Sequence, residues 1–181
     1  MPPDFISHYW GKARRRGESG PEWHPVAYHC LDVAAAGEAL LITRPQYLRA
    51  LSASSGLAED VARRWFLFAL ALHDVGKFAD CFQVKWRQLA PSAMTSAPTT
   101  DPGHGAVGSA LWACSCDFDV PYDEGRFSHI LRAAGGGTGS VAGFTTWLEA
   151  VFGHHGRPVT RPLNIAPLMS RWPAPDLDAR N

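Results

Sequence analysis

The chain has 181 residues, of which 46% are hydrophobic and 19% are charged, and its formal net charge is zero. This length supports one domain with a sizeable core and is too short for two, so we predict a single domain over residues 1–181. A zero net charge excludes a domain that attracts nucleic acid through overall positive charge. Any contact with a polyanion must therefore be local.

The sequence favours a cytoplasmic protein without a membrane partner. Its four cysteines show no Cys-x-x-Cys spacing and are typical of reduced, buried thiols. The first residues lack the apolar stretch of a secretory signal. The longest strongly apolar run, residues 65–72, is far shorter than the roughly 20 residues that span a membrane.

The first segment, residues 1–22, is predicted to be irregular. It contains an aromatic patch that is followed by a basic cluster. The cluster is either a solvated loop or a local contact for a nucleic-acid backbone or a partner. Its members are Lys12, Arg14, Arg15 and Arg16.

Two helices are predicted in the first half of the chain. Residues 24–42 show apolar side chains near helical spacing, Pro25 is tolerated in a first turn, and Pro45 is interpreted as following the helix end. Residues 57–73 form the clearest predicted helix. Acidic residues lie in its first turn, where the helix dipole stabilises negative charge. Because residues 65–72 are apolar on every side, we expect this helix at the centre of an all-α fold.

The second half contains three further predicted helices and two loops. From Arg157 onward the chain is rich in proline and weakly patterned. The sequence shows no convincing alternation of the kind that predicts strands, so the predicted class is all-α with long irregular loops. The helices cover residues 78–89, 105–116 and 141–154, and the loops cover residues 91–102 and 132–143.

The dipeptide His73-Asp74 stands at the end of the buried apolar helix. A carboxylate buried there without a partner would be costly, and a bound metal ion would remove that cost. Gly76 lets the chain turn, and Lys77 then lies beside the site, where its ammonium group can meet a phosphate oxygen. We therefore interpret Asp74 as a metal ligand and Lys77 as a phosphate contact.

Four further histidines lie on or beside the predicted helices. Taken singly, His29 is typical of a packed core histidine, His104 of a cap or exposed loop, and the doublet His154-His155 of a surface pair. Asp32 lies one turn after His29, and is either its hydrogen-bond partner or a plain surface carboxylate.

Taken together with His73 and Asp74, these residues offer five imidazoles and one carboxylate. This mixture suits Mn, Fe, Co or Ni better than Ca, and leaves Zn or Mg as further options. Six ligands with a shared aspartate are enough for two metal ions, which can clamp the attacking and leaving oxygens of a phosphodiester. The residues thus predict a metal-dependent phosphodiester hydrolase.

Five motifs, in order over residues 7–156, resemble the HD nuclease domain of the type I CRISPR-associated helicase–nuclease, particularly the form that works with the Cascade complex of subtype I-E. One such motif would be a weak signal, whereas five in the same order are specific. The matching stretches are Ser7-His8-Tyr9-Trp10-Gly11-Lys12, Tyr28-His29-Cys30-Leu31-Asp32-Val33-Ala34, Ala71-Leu72-His73-Asp74-Val75-Gly76-Lys77-Phe78 with Phe82-Gln83, Gly103-His104-Gly105-Ala106, and Trp147-Leu148-Glu149-Ala150-Val151 through His154-His155-Gly156.

The resemblance implies an HD-domain helical bundle and two divalent transition-metal ions. It assigns His29, His73 and Asp74 to the first metal, with Asp74 bridging to the second metal, and it places Lys77 on the scissile phosphate. It also implies single-stranded DNA as substrate, nicked in the displaced strand of an R-loop and then degraded as a helicase feeds it in. By the same resemblance, the second metal is held by His104, His154 and His155.

Two departures from the family pattern stand out. The family has a later aspartate that completes the first metal's ligands, and the proline-rich residues 157–181 show no matching helix. Asp176 and Asp178 are weak substitutes, so we expect the second metal to bind better than the first and activity to be reduced. The sequence also contains no Walker A motif, so unwinding would need a helicase domain or chain beyond these residues.

Two other functions remain open. An HD phosphohydrolase of small nucleotides would share the metal chemistry but would need a closed pocket. A non-catalytic remnant that binds only a partner or DNA would also fit the missing aspartate. The aromatic residues Phe78, Phe82 and Trp86 either stack on bases or pack in the core.

Overall fold

The computed structural model describes residues 9–14, 17–86, 102–115, 140–157 and 159. Most of these residues are helical, and the only sheet among them has two short strands, which confirms the predicted all-α class. The principal elements are β1 Trp10–Ala13, β2 Trp23–Pro25, α1 Val26–Thr43, α2 Pro45–Ser55, α3 Glu59–Leu72, α4 Asp80–Gln83, α5 His104–Ser115 and α6 Ser140–Phe152.

The two strands form an antiparallel hairpin that leads directly into α1. Lys12 is paired with His24, and the register is irregular between Trp10 and Lys12. The prediction of an irregular segment over residues 1–22 is therefore wrong for β1, since four residues are too few to show alternation. Gly11 is required here because a Cβ atom would lie 2.8 Å from the Cα atom of Val26.

Helix α2 was not predicted, because Pro45 was interpreted as the stop after α1. Pro45 is instead the first residue of a new helix, a position where proline costs no hydrogen bond and has a suitable φ angle. Helix α2 ends at Gly56, whose φ of 69° is the left-handed conformation that glycine adopts readily. It packs on both α1 and α3.

The core lies between α3, α5 and α6. No residue between positions 65 and 74 is exposed, which confirms the central place that the apolar pattern predicted for α3. Phe144 of α6 packs on the rings of Trp65, Phe68 and Trp112. The buried members of this core are Trp65, Ala69, Trp112, Phe144, Leu148 and Phe152.

The predicted helix over residues 78–89 is broken into shorter pieces. A 3-10 turn covers Val75–Phe78, Ala79 is extended (φ −72°, ψ 147°), and α4 follows before a second 3-10 turn over Val84–Trp86. The first turn packs so closely on α5 that Gly76 has no room for a side chain. Residues 87–89 lie outside the described part of the chain.

The helices predicted over residues 105–116 and 141–154 are confirmed as α5 and α6, with small differences at their ends. Residues 153–156 form turns, so the His154-His155 doublet follows α6 rather than ending it. Of the two predicted loops, residues 91–101 and 132–139 lie outside the described residues, as does all of the tail except Arg157 and Val159. The loop prediction is wrong for residues 140–143, which form the first turn of α6.

Helix α1 has the length and hydropathy of a membrane-spanning helix, with a mean hydropathy of 1.3 over 18 residues. Length and composition alone are weak evidence, because core helices of other proteins pass the same test. Here α1 packs along α3, and its Glu38 forms an ion pair with Arg63 of α3. These contacts favour a bundle helix.

Candidate metal centre

Asp74 lies at the junction between α3 and the following 3-10 turn, and it is only 1% exposed. Its Oδ2 atom is 2.9 Å from Nε2 of His29 and 3.1 Å from Nε2 of His73. The Nζ atom of Lys77 lies 2.7 Å from the same oxygen. One carboxylate oxygen thus faces α1, the end of α3 and Lys77 together.

The second oxygen, Oδ1, faces the other side of the site. It is 3.1 Å from Nε2 of His104 and 3.8 Å from Nε2 of His154. It is buried and makes no hydrogen bond of good geometry within the described part of the chain. The Nε2 atoms of His104 and His155 are 3.0 Å apart, so His155 lies beside the same histidines that face Oδ1.

These distances define two groups of ligand atoms, and in each group all the atoms lie within 4.8 Å of one another. The first is His29, His73 and Asp74, and the second is His104, His154 and His155. Ligands bound to one ion at about 2.0–2.1 Å are themselves separated by roughly 3 Å. The His29–Asp74, His73–Asp74 and His104–His155 pairs have separations of 2.9, 3.1 and 3.0 Å. The unpartnered Oδ1 atom and the converging nitrogens fit divalent metal ions well.

Two of the histidines have a fixed proton arrangement. Nδ1 of His73 lies 2.8 Å from the carbonyl oxygen of Leu70, and Nδ1 of His154 lies 2.9 Å from that of Val151. A carbonyl oxygen only accepts, so each Nδ1 must carry the hydrogen. Once such a ring is neutral, its Nε2 lone pair faces the metal group, as in many metal-binding histidines.

The site lowers the pKa of Asp74 and raises that of His73, so both groups are charged near pH 7. Burial alone would raise the pKa of Asp74, but the adjacent side chains of His104, His73 and Lys77 hold that pKa well below its usual range. Burial alone would lower the pKa of His73, yet its contact with Asp74 raises that pKa to about 10.

Two other ligand histidines shift in the opposite direction. Burial, followed by the charge of Lys77, lowers the pKa of His29. Burial also lowers the pKa of His154, against the opposing effect of its bond to the Val151 carbonyl. Both rings are therefore neutral near pH 7 and can coordinate a metal ion without first losing a proton.

Lys77 is held in place by the N-terminal hairpin. Its Nζ atom donates to the carbonyl oxygen of Gly11 at 2.9 Å as well as contacting Asp74. Gln83, which is fully buried, bonds both the backbone nitrogen and the carbonyl oxygen of Trp10, and donates to the carbonyl oxygen of Lys77 at 2.7 Å. The hairpin thus fixes Lys77 at both ends. Gly11 accepts from the ammonium group, and Gln83 links Trp10 to the Lys77 carbonyl oxygen.

The hydrogen bonds between Trp10 and Gln83 were not predicted from residue chemistry. The available signal was an amide side chain directly after Phe82, in a segment whose neighbouring side chains are apolar. Phe82 itself is 7% exposed and packs 4.5 Å from the Trp10 ring, which favours the core interpretation over base stacking. Phe78 similarly packs on Tyr9.

Of the two interpretations of Asp32, the hydrogen bond to His29 is wrong. The carboxylate of Asp32 lies 2.8 Å from Nε2 of His24 rather than beside His29. The reason is the hairpin, which brings His24 over the first turns of α1. The suggested substitute ligands Asp176 and Asp178 lie outside the described residues, so their role stays a prediction.

The fold and the site together define a helical protein with a paired histidine–aspartate centre suited to divalent metal ions. The family described as Cas3, HD domain, matches residues 10–178, and the chain belongs to this family. This membership confirms the resemblance drawn from the five motifs.

Two curated relatives carry the description CRISPR-associated endonuclease/helicase Cas3. The protein from Escherichia coli is 34% identical over 164 residues, which are 86% of this chain and 18% of the relative. The protein from Thermus thermophilus is 40% identical over 72 residues, 39% of this chain and 8% of the relative. The chain thus spans less than a fifth of the length of these relatives.

A solved structure, described as the crystal structure of a CRISPR-associated protein, has a similar fold. It superimposes with a TM-score of 0.59 at 22% identity, over 90% of this chain and 17% of that chain. This likeness supports the fold alone.

Proposed function

We propose that this chain is a metal-dependent nuclease that hydrolyses phosphodiester bonds of single-stranded DNA. The observation that carries the proposal is the divided carboxylate of Asp74, whose two oxygens face two separate histidine groups. Membership of the Cas3 HD-domain family, and the endonuclease/helicase descriptions of its relatives, support the same conclusion.

The side chains have distinct roles in this proposal. Asp74 would bridge two ions, with His29 and His73 on one side and His104 with the His154-His155 doublet on the other. Two divalent ions, when bound, supply Lewis-acid activation of the phosphodiester and of the attacking water. Lys77, held by Gly11, would turn from Asp74 to a phosphate oxygen as substrate binds, because its ammonium group can serve either anion.

We propose that the ions are Mn, Fe, Co or Ni, with Zn or Mg as alternatives, and that the first group is the weaker. The ammonium group of Lys77 already lies 2.7 Å from the oxygen that faces this group, so it repels an incoming cation. The second group faces the other oxygen, Oδ1, which makes no hydrogen bond of good geometry among the described residues and is therefore open to a cation.

In the cell, the substrate would be the displaced strand of an R-loop made by a Cascade-type complex in the cytoplasm. The chain would nick this strand and degrade it further as a helicase domain or chain delivers it. The descriptions of the two relatives as endonuclease/helicase support this arrangement, which rests on family membership rather than on the geometry of the site.

The test uses metal-stripped protein and circular single-stranded DNA, to which Mn, Co, Ni, Zn or Mg is added separately. We expect cleavage with a transition metal and none with Asp74→Ala, while Asp60→Ala, which removes an exposed carboxylate from α3, cleaves normally. A parallel panel of mononucleotides and cyclic nucleotides tests the alternative function, since a small-nucleotide hydrolase would cleave these substrates in preference to the DNA. A folded protein that binds DNA but cleaves nothing with any metal would support the non-catalytic alternative.

A further inference from the structure

A large aromatic side chain stands exposed beside the first metal group. Tyr28 immediately precedes His29 in the first turn of α1, and its side chain is 54% exposed. The ring of His24 lies 6.4 Å from the Tyr28 ring, tilted by 38°, and also 6.4 Å from the ring of His29. Three rings thus lead from the surface to the metal group.

His24 is held in this position by two features. Its Nε2 atom lies 2.8 Å from the carboxylate of Asp32, one turn along α1 from Tyr28. The hairpin register places His24 opposite Lys12, and directly opposed residues of an antiparallel pair project on the same face. Lys12 is exposed, so the hairpin carries a positively charged side chain on the same face as His24.

We propose that Lys12, His24 and Tyr28 form a binding lip for single-stranded nucleic acid at the entrance to the first metal group. A base would stack on Tyr28 and His24 while the ammonium group of Lys12 contacts an adjacent phosphate. Exposed aromatic rings beside a cation are the combination that binds single strands without sequence preference. The bases of a duplex are already stacked on each other, so the lip would select unpaired strands.

The lip also answers a difficulty raised by the composition. The net charge of the whole chain is zero, so the protein has no general attraction for a polyanion. Stacking and one local cation supply affinity without such a field. The basic cluster identified in the sequence then has a specific role for its first member, Lys12. This inference rests on the proposed substrate class and names the residues that bind it.

The test measures binding in the presence of a chelator, so its result does not depend on cleavage. The probes are a short fluorescein-labelled oligothymidylate and a matched abasic oligonucleotide, followed by fluorescence anisotropy. Tyr28→Ala should weaken binding of oligothymidylate about five- to tenfold, the cost of losing one stacked base, and should not change binding of the abasic strand. Tyr28→Phe should retain the affinity of the unmodified protein.

Two further variants separate the contributions. Tyr47→Ala removes a tyrosine of similar exposure, 50%, from α2, which carries none of the metal-group residues, and should leave binding unchanged. Lys12→Ala should weaken the binding of both probes equally. It should also reduce the slope of log K against log salt concentration by about 0.7, the value for one lost phosphate contact to a single strand. The proposal is overturned if Tyr28→Ala has no effect, weakens both probes equally, or behaves like Tyr47→Ala.

Discussion

The carboxylate of Asp74 is buried and ionised at once, a costly combination unless positive charge surrounds it. Without a metal ion, Lys77 and a protonated His73 supply that charge, both within 3.1 Å of the same oxygen. Metal ions would replace them. The same contacts that stabilise the carboxylate therefore also compete with the ions that the site is suited to bind.

This competition predicts that metal affinity rises with pH. The pKa of His73 is raised to about 10, so its proton must leave before Nε2 can coordinate. At pH values below this pKa, the proton that His73 must release should make the Mn²⁺ affinity of the first metal group rise roughly tenfold per pH unit. Titration calorimetry at neutral and mildly alkaline pH measures this slope, and a pH-independent affinity would contradict the assignment.

The raised pKa of His73 also determines how the stability of the metal-stripped protein changes with pH. A histidine whose folded pKa is raised stabilises the metal-stripped protein fully below its unfolded pKa, and this stabilisation is lost as pH rises through about 10. The metal-stripped protein should therefore unfold more easily at alkaline pH. Bound metal should remove that trend, because the proton has already left.

Replacing Lys77 should have two opposite effects. Lys77→Gln removes the ammonium group beside Asp74, so affinity at the first metal group should rise about tenfold or more. Cleavage should nevertheless slow, because the proposed phosphate contact is lost. Arg49→Gln on α2 removes one charge of the same sign from the surface and serves as the control. Weaker metal binding in Lys77→Gln would show that the lysine supports the first site rather than competing with it.

At the scale of elements, the sequence predicted the parts that have a long hydrophobic pattern. The apolar run of α3 and the motif that follows it were enough to place His73 and Asp74 at the end of the central helix. Helix α2 was missed because proline at a helix start and proline after a helix end look alike in sequence. Hairpin β1–β2 was missed because its strands are too short to show alternation.

The site was predictable in residue type but not in geometry. The sequence and the resemblance named the histidines, yet the division of the two Asp74 oxygens depends on how α5 and the end of α6 pack against α3. The pairing of Asp32 with His24 depends on the hairpin. Local patterns carry no information on such contacts between distant elements, which tertiary packing determines.

The close contact between the Val75–Phe78 turn and α5 gives a prediction for this scale. A Cβ atom at Gly76 would overlap the carbonyl oxygen of His104 and lie 2.6 Å from the amide nitrogen of Gly108. Gly76→Ala should destabilise the protein by about 2–3 kcal/mol and displace His104, weakening metal binding as well. Thermal unfolding with and without Mn²⁺ measures both effects, with Ser54→Ala on α2 as the control. An unchanged midpoint would show that α5 does not pack so closely.

At the scale of the whole molecule, ligands from four separated segments meet at one buried carboxylate. Helices α1 and α2 expose several large hydrophobic side chains. Each large hydrophobic side chain that is exposed among the described residues lies on α1 or α2. They are Tyr28, Leu31, Leu40, Ile42 and Tyr47.

This exposure predicts self-association of the isolated chain. Ile42 is 67% exposed and Leu40 is 43% exposed, both near the end of α1 and away from the proposed lip. The double substitution Leu40→Gln with Ile42→Gln should reduce self-association in sedimentation velocity, because exposed apolar surface favours contact between copies. The double variant Leu40→Met with Ile42→Leu keeps the surface apolar and should associate as before. Equal behaviour of the two variants would assign the association to another surface.

A two-metal centre bridged by Asp74 is tested most directly by counting the metal ions bound to the intact chain. Metal-stripped protein is titrated with Mn²⁺ and examined by native mass spectrometry, beside Asp74→Asn, His155→Ala and the surface control Asp60→Asn. We predict two ions per chain with unequal affinities, loss of the tighter ion in His155→Ala, and weakening of both in Asp74→Asn alone. A single ion at saturation, or two ions that bind Asp74→Asn as tightly as the control, would contradict a two-metal centre bridged by Asp74.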